Sequence, residues 1–312
     1  MGAENIIGFY FRTAEAWDAM YADCEAATRS IHVEQYIFRN DEAGGRFLRL
    51  FLEKAKVGVE VKLMLDAVGS RDLHEDQLIA DIRRAGGLVH FYHDLGPRRI
   101  FFPSRWVPRT HVKTMLIDDA VAYTGGVCFS ETMRDWHDLH ARFTGPVVKQ
   151  ASEESERIWA RMLEGKRILI EHRRQEKDSI RYALSQPSFG TSPIYREIVE
   201  KLNGAKQRVR VCTPYFLPPR RLRRALMRAT LRGVDVEILM SAKTDVPWAD
   251  WAARTYFRRL MRSGVKITLH QDSVLHAKYV LVDNDWATVG SVNIDYLSLK
   301  KNREASLVIT DA

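Results

Sequence analysis

One pattern occurs twice in this chain of 312 residues, and it constrains the fold more than any other feature. His111-Val-Lys113-Thr-Met-Leu-Ile-Asp118 is followed, after six further residues, by Gly125-Gly126. His276-Ala-Lys278-Tyr-Val-Leu-Val-Asp283 is followed at the same distance by Gly290-Ser291. Four fixed positions of ordinary residue usage coincide by chance about once in a hundred thousand starts, so two occurrences mark a duplication. The surrounding segments repeat in the same order. Helical periodicity at 14–28 precedes strand-type alternation at 30–38. A helix at 45–56, the apolar run Gly58-Val-Glu-Val-Lys-Leu-Met-Leu-Asp-Ala, a helix at 76–85 and strands at 88–92 and 111–117 then follow. The second half reads helix 193–202, strand 208–215, helix 220–231, the run Gly233-Val-Asp-Val-Glu-Ile-Leu-Met-Ser-Ala, helix 248–261 and strands 265–270 and 276–282. Gly58 maps to Gly233 at an offset of 175 residues and His111 to His276 at 165, so the first copy has the longer loop before its histidine. A period this long excludes a solenoid and predicts a duplicated α/β domain. The expected division is 1–150, a connecting helix and linker over 151–185, centred on the charged stretch 153–177, and 186–312.

On a strand, residues i and i+2 share a face, so histidine and lysine of each motif point together at one ligand while Val112 and Ala277 point away. Lysine offers a compact positive charge to a phosphate oxygen, and the glycines let backbone donors approach the same group. A lone His-x-Lys is more often a half-exposed strand edge, and only its repetition at matched spacing makes it a site. Asp118 and Asp283 fall at odd spacing from the histidines. They are expected to face away and to make structural salt bridges or turn hydrogen bonds.

Composition narrows the class. A content of 46% hydrophobic residues supports one large core or two modest ones without a staple. Cys24, Cys128 and Cys212 are odd in number and far apart, which argues against a disulfide framework and for a reducing compartment. No stretch reaches the roughly 18 apolar residues of a membrane span, and residues 1–11 lack the order of a signal peptide. The expected location is cytoplasmic, peripheral to the inner face of the membrane. A formal charge of +8 draws the molecule to phosphate-rich surfaces, whether anionic lipid or nucleic acid. No His-x-x-x-His, cysteine pair or acidic ligand cluster calls for a metal, and no cofactor is expected.

The paired H-x-K-x4-D motif resembles that of the phospholipase D superfamily, over nearly the whole chain. Within it the sequence is most similar to bacterial cardiolipin synthases, through Gln35-Tyr-Ile-Phe38, Asp66-Ala-Val-Gly-Ser70, Thr213-Pro-Tyr-Phe216 and Gly290-Ser-Val-Asn293-Ile-Asp295. The resemblance implies two tandem phospholipase D-like α/β/α domains with mixed sheets, related by a pseudo-twofold axis, meeting at one active site. It implies His111 as nucleophile and His276 as general acid and then base, with Lys113 and Lys278 on phosphate oxygens. It also implies a covalent phosphohistidine. Asp138 lies 27 residues after His111, and Glu304 lies 28 after His276. By the resemblance these acids take a hydrogen bond from the far ring nitrogen, as in a catalytic triad. Ser291, Asn293 and Gly126 are candidate phosphate ligands. The first copy departs from the pattern in having Cys128 where the second has Asn293.

Two basic-aromatic stretches suit a membrane interface: 98–109, with Phe101, Phe102 and Trp106, and 248–262, with Trp248 and Trp251. The same chemistry suits single-stranded nucleic acid. The preferred expectation is a phosphatidyltransferase that acts on a phospholipid such as phosphatidylglycerol at an anionic membrane surface, with hydrolysis when water intervenes. Many bacterial synthases carry a membrane-spanning N-terminus; residues 1–312 contain no stretch of that kind, and peripheral attachment is expected in its place. The alternative is a metal-independent nuclease or nucleic-acid phosphodiesterase with the same site. A catalytically silent lipid-binding protein is a third reading, disfavoured by the intact motifs. Because both motifs lie in one chain, a monomer could hold a complete site.

Overall fold

The computed structural model describes residues 6–93, 109–164, 179–185 and 192–310. The first half runs β1 (Ile6–Arg12), α1 (Thr13–Ala26), β2 (Ser30–Gln35), α2 (Glu42–Lys56), β3 (Glu60–Asp66), α3 (Gln77–Arg84), β4 (Leu88–Tyr92), β5 (Thr114–Ile117), β6 (Val121–Gly125) and β7 (His137–Thr144). Helix α4 (Pro146–Leu163) follows. The second half comprises β8 (Ile180–Ser185), α5 (Pro193–Gly204), β9 (Arg208–Cys212), α6 (Arg220–Leu231), β10 (Asp235–Ser241), α7 (Pro247–Arg262), β11 (Lys266–His270), β12 (Tyr279–Val282), β13 (Trp286–Gly290), α8 (Tyr296–Lys300) and β14 (Glu304–Thr310).

Each half builds a seven-stranded mixed sheet with the same order. It is β1-β7-β6-β5-β2-β3-β4 in the first, and β8-β14-β13-β12-β9-β10-β11 in the second. The β2-β3-β4 and β9-β10-β11 pairs are parallel, joined through crossover helices, and the other pairs are antiparallel. The duplication therefore extends to every strand. β8 counts as the second sheet's edge strand although it lies in the stretch read as linker, and α4 begins at Pro146. The strands β1, β6, β7, β8, β13 and β14 lie outside the strands expected from the sequence.

Local chemistry supports these elements. Asp41 caps α2 by accepting from the Gly44 amide at 3.0 Å, and Ser192 caps α5 from the Tyr195 amide at 3.1 Å, with Pro193 at its first turn. Gly58 and Gly233 both take φ of +87°, where a side chain would be strained, and each turns its chain into the parallel strand that follows. One core packs α1 and α2 against the first sheet, with Phe38 stacked on Phe129 and Phe47 set edge-on to it. A second packs α5 and α6 against the other sheet. A third is shared: Phe143, Val147 and Trp159 of the first half and α4 meet Tyr182, Ala305 and Leu307 of the second. Among the described residues, no helix is long and apolar enough to cross a membrane.

Candidate active site

The two halves exchange backbone hydrogen bonds at two matched places. His111 N donates to Arg303 O at 2.8 Å, and Arg303 N donates back to Arg109 O at 2.9 Å. Likewise His276 N donates to His137 O at 2.6 Å, and His137 N to Val274 O at 2.9 Å. Each histidine is thus stitched to the residue just before the carboxylate of the opposite half. This differs from the expected strands 111–117 and 276–282, because the sheet ladders begin at Thr114 and Tyr279. The histidines leave their own sheets to pair across the interface, yet the alternation survives. Val112 is buried in the shared core, while His111 and Lys113 line the cavity.

The crossing carries through to the side chains. His111 Nδ1 bonds Glu304 Oε2 at 2.9 Å, and His276 Nδ1 bonds Asp138 Oδ2 at 2.7 Å. The offsets of 27 and 28 residues suggest matching roles for the two acids; in the structure each serves the histidine of the opposite half. With Nδ1 engaged, Nε2 is the free ring nitrogen of both histidines. His111, Lys113 and His276 line one cavity of ≈ 400 Å³ with Tyr36, Cys128, Trp136, Tyr215, Asn293 and Asp295. Lys278 is buried and is not part of its lining. Both lysines fold back on their own motif: Lys113 Nζ donates to His111 O at 3.0 Å and Lys278 Nζ to His276 O.

The two pairs differ electrostatically. Burial drives His111 well below its ordinary pKa, and the Lys113 and Lys278 charges push the same way. Burial lifts Glu304 to about 8 against the pull of Lys113 and the Ser291 hydrogen bond. This pair therefore favours neutral partners. Asp138 is also pushed up by burial, but Lys278, His276 and the Leu139 amide outweigh this, and its pKa falls. His276 is lowered by burial and Lys278, with Asp138 opposing. The ionised Asp138 is the better support for a histidinium. Burial also lowers Lys278 to about 8.

The phosphate-ligand candidates take different places. Gly126 N is spent on Leu139 O at 3.1 Å, so it offers no donor to a ligand. A Cβ at Gly126 would sit 2.0 Å from Asp138 Oδ1, which makes this glycine the cradle of that carboxylate. Ser291, at the matching position, directs its hydroxyl to Glu304 Oε2 at 2.5 Å. Asn293 does line the cavity, and its buried Oδ1 has no hydrogen-bond partner. Cys128 lines it too, with its thiol pushed up by burial and so held uncharged. Asp118 accepts from the Arg29 and Ser30 amides at 2.8 Å and from the Thr28 amide at 2.9 Å. Asp283 accepts from the matching Lys206, Gln207 and Arg208 amides. Both aspartates have φ near +54° and +53°, and both face away from the cavity.

Phe101, Phe102 and Trp106 lie outside the described residues. Trp248 lines the cavity mouth and is 67% exposed; Trp251, one turn further along α7, is 73% exposed. Sequence reasoning did not single out the rings around the histidines. Tyr36 stands 5.0 Å from the His111 ring, and Trp136 stands 5.1 Å from that of His276. The signal for Tyr36 lay in the segment Gln35-Tyr-Ile-Phe38.

Two seven-stranded α/β halves that share one pair of H-x-K-x4-D histidines in one cavity define an enzyme of the phospholipase D superfamily. A family model described as "Cardiolipin synthase, PLD-like domain" matches residues 20–159 and 198–312. The chain belongs to that family. It is 30% identical to a cardiolipin synthase of Clostridium perfringens over 98% of this chain and 67% of the relative. It is 32% identical to cardiolipin synthase A of Edwardsiella ictaluri, over 96% and 64%, and 30% identical to cardiolipin synthase B of Salmonella typhi, over 95% and 74%. The chain thus spans about two thirds to three quarters of the length of these relatives. In fold it is similar to phosphatidylserine synthase of Haemophilus influenzae, with a TM-score of 0.78 at 16% identity over 98% of this chain and 82% of that one. It is also similar to polyphosphate kinase of Porphyromonas gingivalis, with a TM-score of 0.63 at 13% identity over 99% and 45%.

Proposed function

We propose that this enzyme transfers a phosphatidyl group from a phospholipid such as phosphatidylglycerol to an alcohol, with hydrolysis when water takes the acceptor's place. The halves expected at 1–150 and 186–312, with β8 of the intervening 151–185 counted to the second, each supply half of the site. The observation that carries this reading is the crossed histidine–carboxylate arrangement around a single cavity, in a chain similar to cardiolipin synthases over nearly its whole length. His111, neutral beside a neutral Glu304, attacks phosphorus through Nε2. The N–P bond forms as the P–O bond to the leaving alkoxide breaks, and His276 delivers its proton to that oxygen. In the second step His276 takes the proton of the incoming hydroxyl, whose oxygen attacks phosphorus and releases His111. Lys113 and Asn293 in the cavity, with the buried Lys278 behind it, offset the phosphoryl charge as fixed groups that need no reorganisation. Two displacements give retention at phosphorus and ping-pong kinetics, with no metal required. Anionic membrane surface is the working environment, with attachment from the cytoplasmic side.

The test uses labelled phosphatidylglycerol and, separately, labelled single-stranded DNA, both with excess chelator. The expected results are a transferred phosphatidyl product and a trapped phosphoenzyme that is labile to acid and stable to base. Both vanish in His111→Ala. DNA cleavage abolished by the same substitution, without lipid turnover, would replace this reading with a nuclease.

A further inference from the structure

Beside the catalytic cavity, the second half carries a surface that the transfer reaction does not use. Helix α6 bears Arg220, Arg221, Arg223, Arg224 and Arg228 and has no acidic residue. Helix α7 adds Arg258, Arg259 and Arg262, while its Arg254 is paired with Asp250 at 2.8 Å. Among the described residues, none of the other eight has an acidic partner. Removing these eight from the 48 lysines and arginines leaves 40, which equals the 40 aspartates and glutamates. The net charge of the whole chain thus corresponds to two adjacent helices.

The arginines frame two open cavities. One, of ≈ 670 Å³, is bordered by Arg220, Arg221, Arg224, Arg228 and Lys300; the other, of ≈ 290 Å³, by Arg220, Arg223, Arg224 and Arg259. Arg223 lies over the Tyr256 ring at 4.3 Å, which holds the two helices in register. Three elements link this surface to the catalytic mouth. Leu217 lines the active cavity three residues before Arg220; Leu297 and Ser298 line it on α8 ahead of Lys300; and Trp248 lines it at the start of α7. Along α7, Trp248, Trp251, Thr255, Arg258, Arg259 and Arg262 recur at helical spacing and are all exposed, so rings at the mouth pass into arginines on one face.

The fold does not require this chemistry, since α2, the counterpart of α6 by sheet position, mixes Glu42 and Glu53 with its cations. A face of unpaired guanidinium groups bordered by exposed indoles matches a plane of phosphate headgroups above acyl chains. We propose that α6 and the exposed face of α7 dock the enzyme on an anionic phospholipid bilayer, with Trp248 and Trp251 at headgroup level. This points the catalytic mouth at the lipid. The inference rests on the lipid reading of the active site and names the surface that reading needs.

The full chain is tested by flotation with vesicles of phosphatidylcholine, alone or with about a third phosphatidylserine. The charge-neutral variant is Arg258→Gln, Arg259→Gln, Arg262→Gln; a matching variant carries lysine at all three positions. At about fivefold per cation near an anionic surface, the glutamine variant should bind anionic vesicles about a hundredfold more weakly. The lysine variant should stay within about threefold of the parent, which separates charge from folding. Turnover of phosphatidylglycerol in neutral detergent micelles should be unchanged in both. Equal vesicle binding by the parent and the glutamine variant overturns the proposal. Vesicle binding that follows charge, together with no lipid turnover in micelles, would instead sink the reading of the active site and leave the docking surface standing.

Discussion

Gly126→Ala probes the crossed pairs with one methyl group. The added carbon would lie 2.0 Å from Asp138 Oδ1 and 2.7 Å from Oδ2, where ordinary contact begins at 3.4 Å. The position has no positive φ, so the strain falls on the carboxylate and not on the glycine's own backbone. Asp138 must retreat by about 1.4 Å, the shortfall between those distances. The shift draws Oδ2 away from His276 Nδ1, now 2.7 Å distant, and lengthens that hydrogen bond toward the limit of its reach. A charge-assisted hydrogen bond contributes about 1.5–3 kcal/mol, and misplacement of a reacting group by about 1 Å costs about a hundredfold in rate. We expect kcat to fall about a hundredfold and folding stability by about 1–3 kcal/mol. Asp138 raises the pKa of His276, so its retreat should also move the basic limb of the kcat profile to lower pH. Single-turnover transfer from labelled phosphatidylglycerol, measured across pH on the folded variant, checks both. A kcat within about threefold of the parent, or an unmoved basic limb, refutes the argument.

Stability should follow an unusual course with pH. Glu304, raised to about 8, stays protonated in the fold where the unfolded chain is ionised, so its contribution is lost as pH rises toward 8. His111 and His276, both lowered, favour the fold as pH rises to about 6.5, and Lys278, lowered to about 8, does so from 8 upward. Denaturant titrations should therefore show stability falling by roughly 1.4 kcal/mol per pH unit from 6.5 toward 8; above that the buried thiols of Cys24, Cys128 and Cys212, all raised, oppose the Lys278 gain as the unfolded thiols ionise. Glu304→Gln should flatten the descent; a parent profile that does not fall between pH 6.5 and 8 would contradict the Glu304 assignment. Asp66→Asn should lower stability by about 3 kcal/mol in urea unfolding, since the buried carboxylate pairs with Arg109 at 2.7 Å and also accepts from the Thr110, Val68 and Gly69 amides. Asp283→Ala should lower stability by about 1–2 kcal/mol through three freed amides. It should leave kcat per folded molecule within about twofold, as measured against active-site titration.

The motif pairs and the crossover helices are legible in the sequence because both rest on local spacing. The crossing is not, since nothing at fixed distance from His111 says that its ring will meet Glu304, 193 residues away. The strands that hold the site were hard to read for a related reason. β7 is His-Asp-Leu-His-Ala-Arg-Phe-Thr, and it buries Asp138 and His140 where alternation calls for apolar side chains. Arg303 closes a run of polar and charged residues, Lys300-Lys-Asn-Arg303, that reads as solvated surface. It is 0% exposed and pairs with Glu34 of the other half at 2.9 Å. The motif spacing puts Gly126 and Ser291 in the right neighbourhood, but they serve the carboxylates there, because their amides are already committed to Leu139 and Ala305.

The exchange of partners across the interface also sets a schedule. During synthesis the first half can complete its sheet and bury its aromatic core while His111 still lacks the acid that orients its ring. That acid is joined to the chain 193 residues later. Neither can the second half act early, for His276 waits on an acid already made but not yet docked. A nascent or half-unfolded molecule therefore presents two histidines without their orienting acids. On the proposed mechanism, reactivity toward phosphodiesters switches on at one event, the closing of the halves.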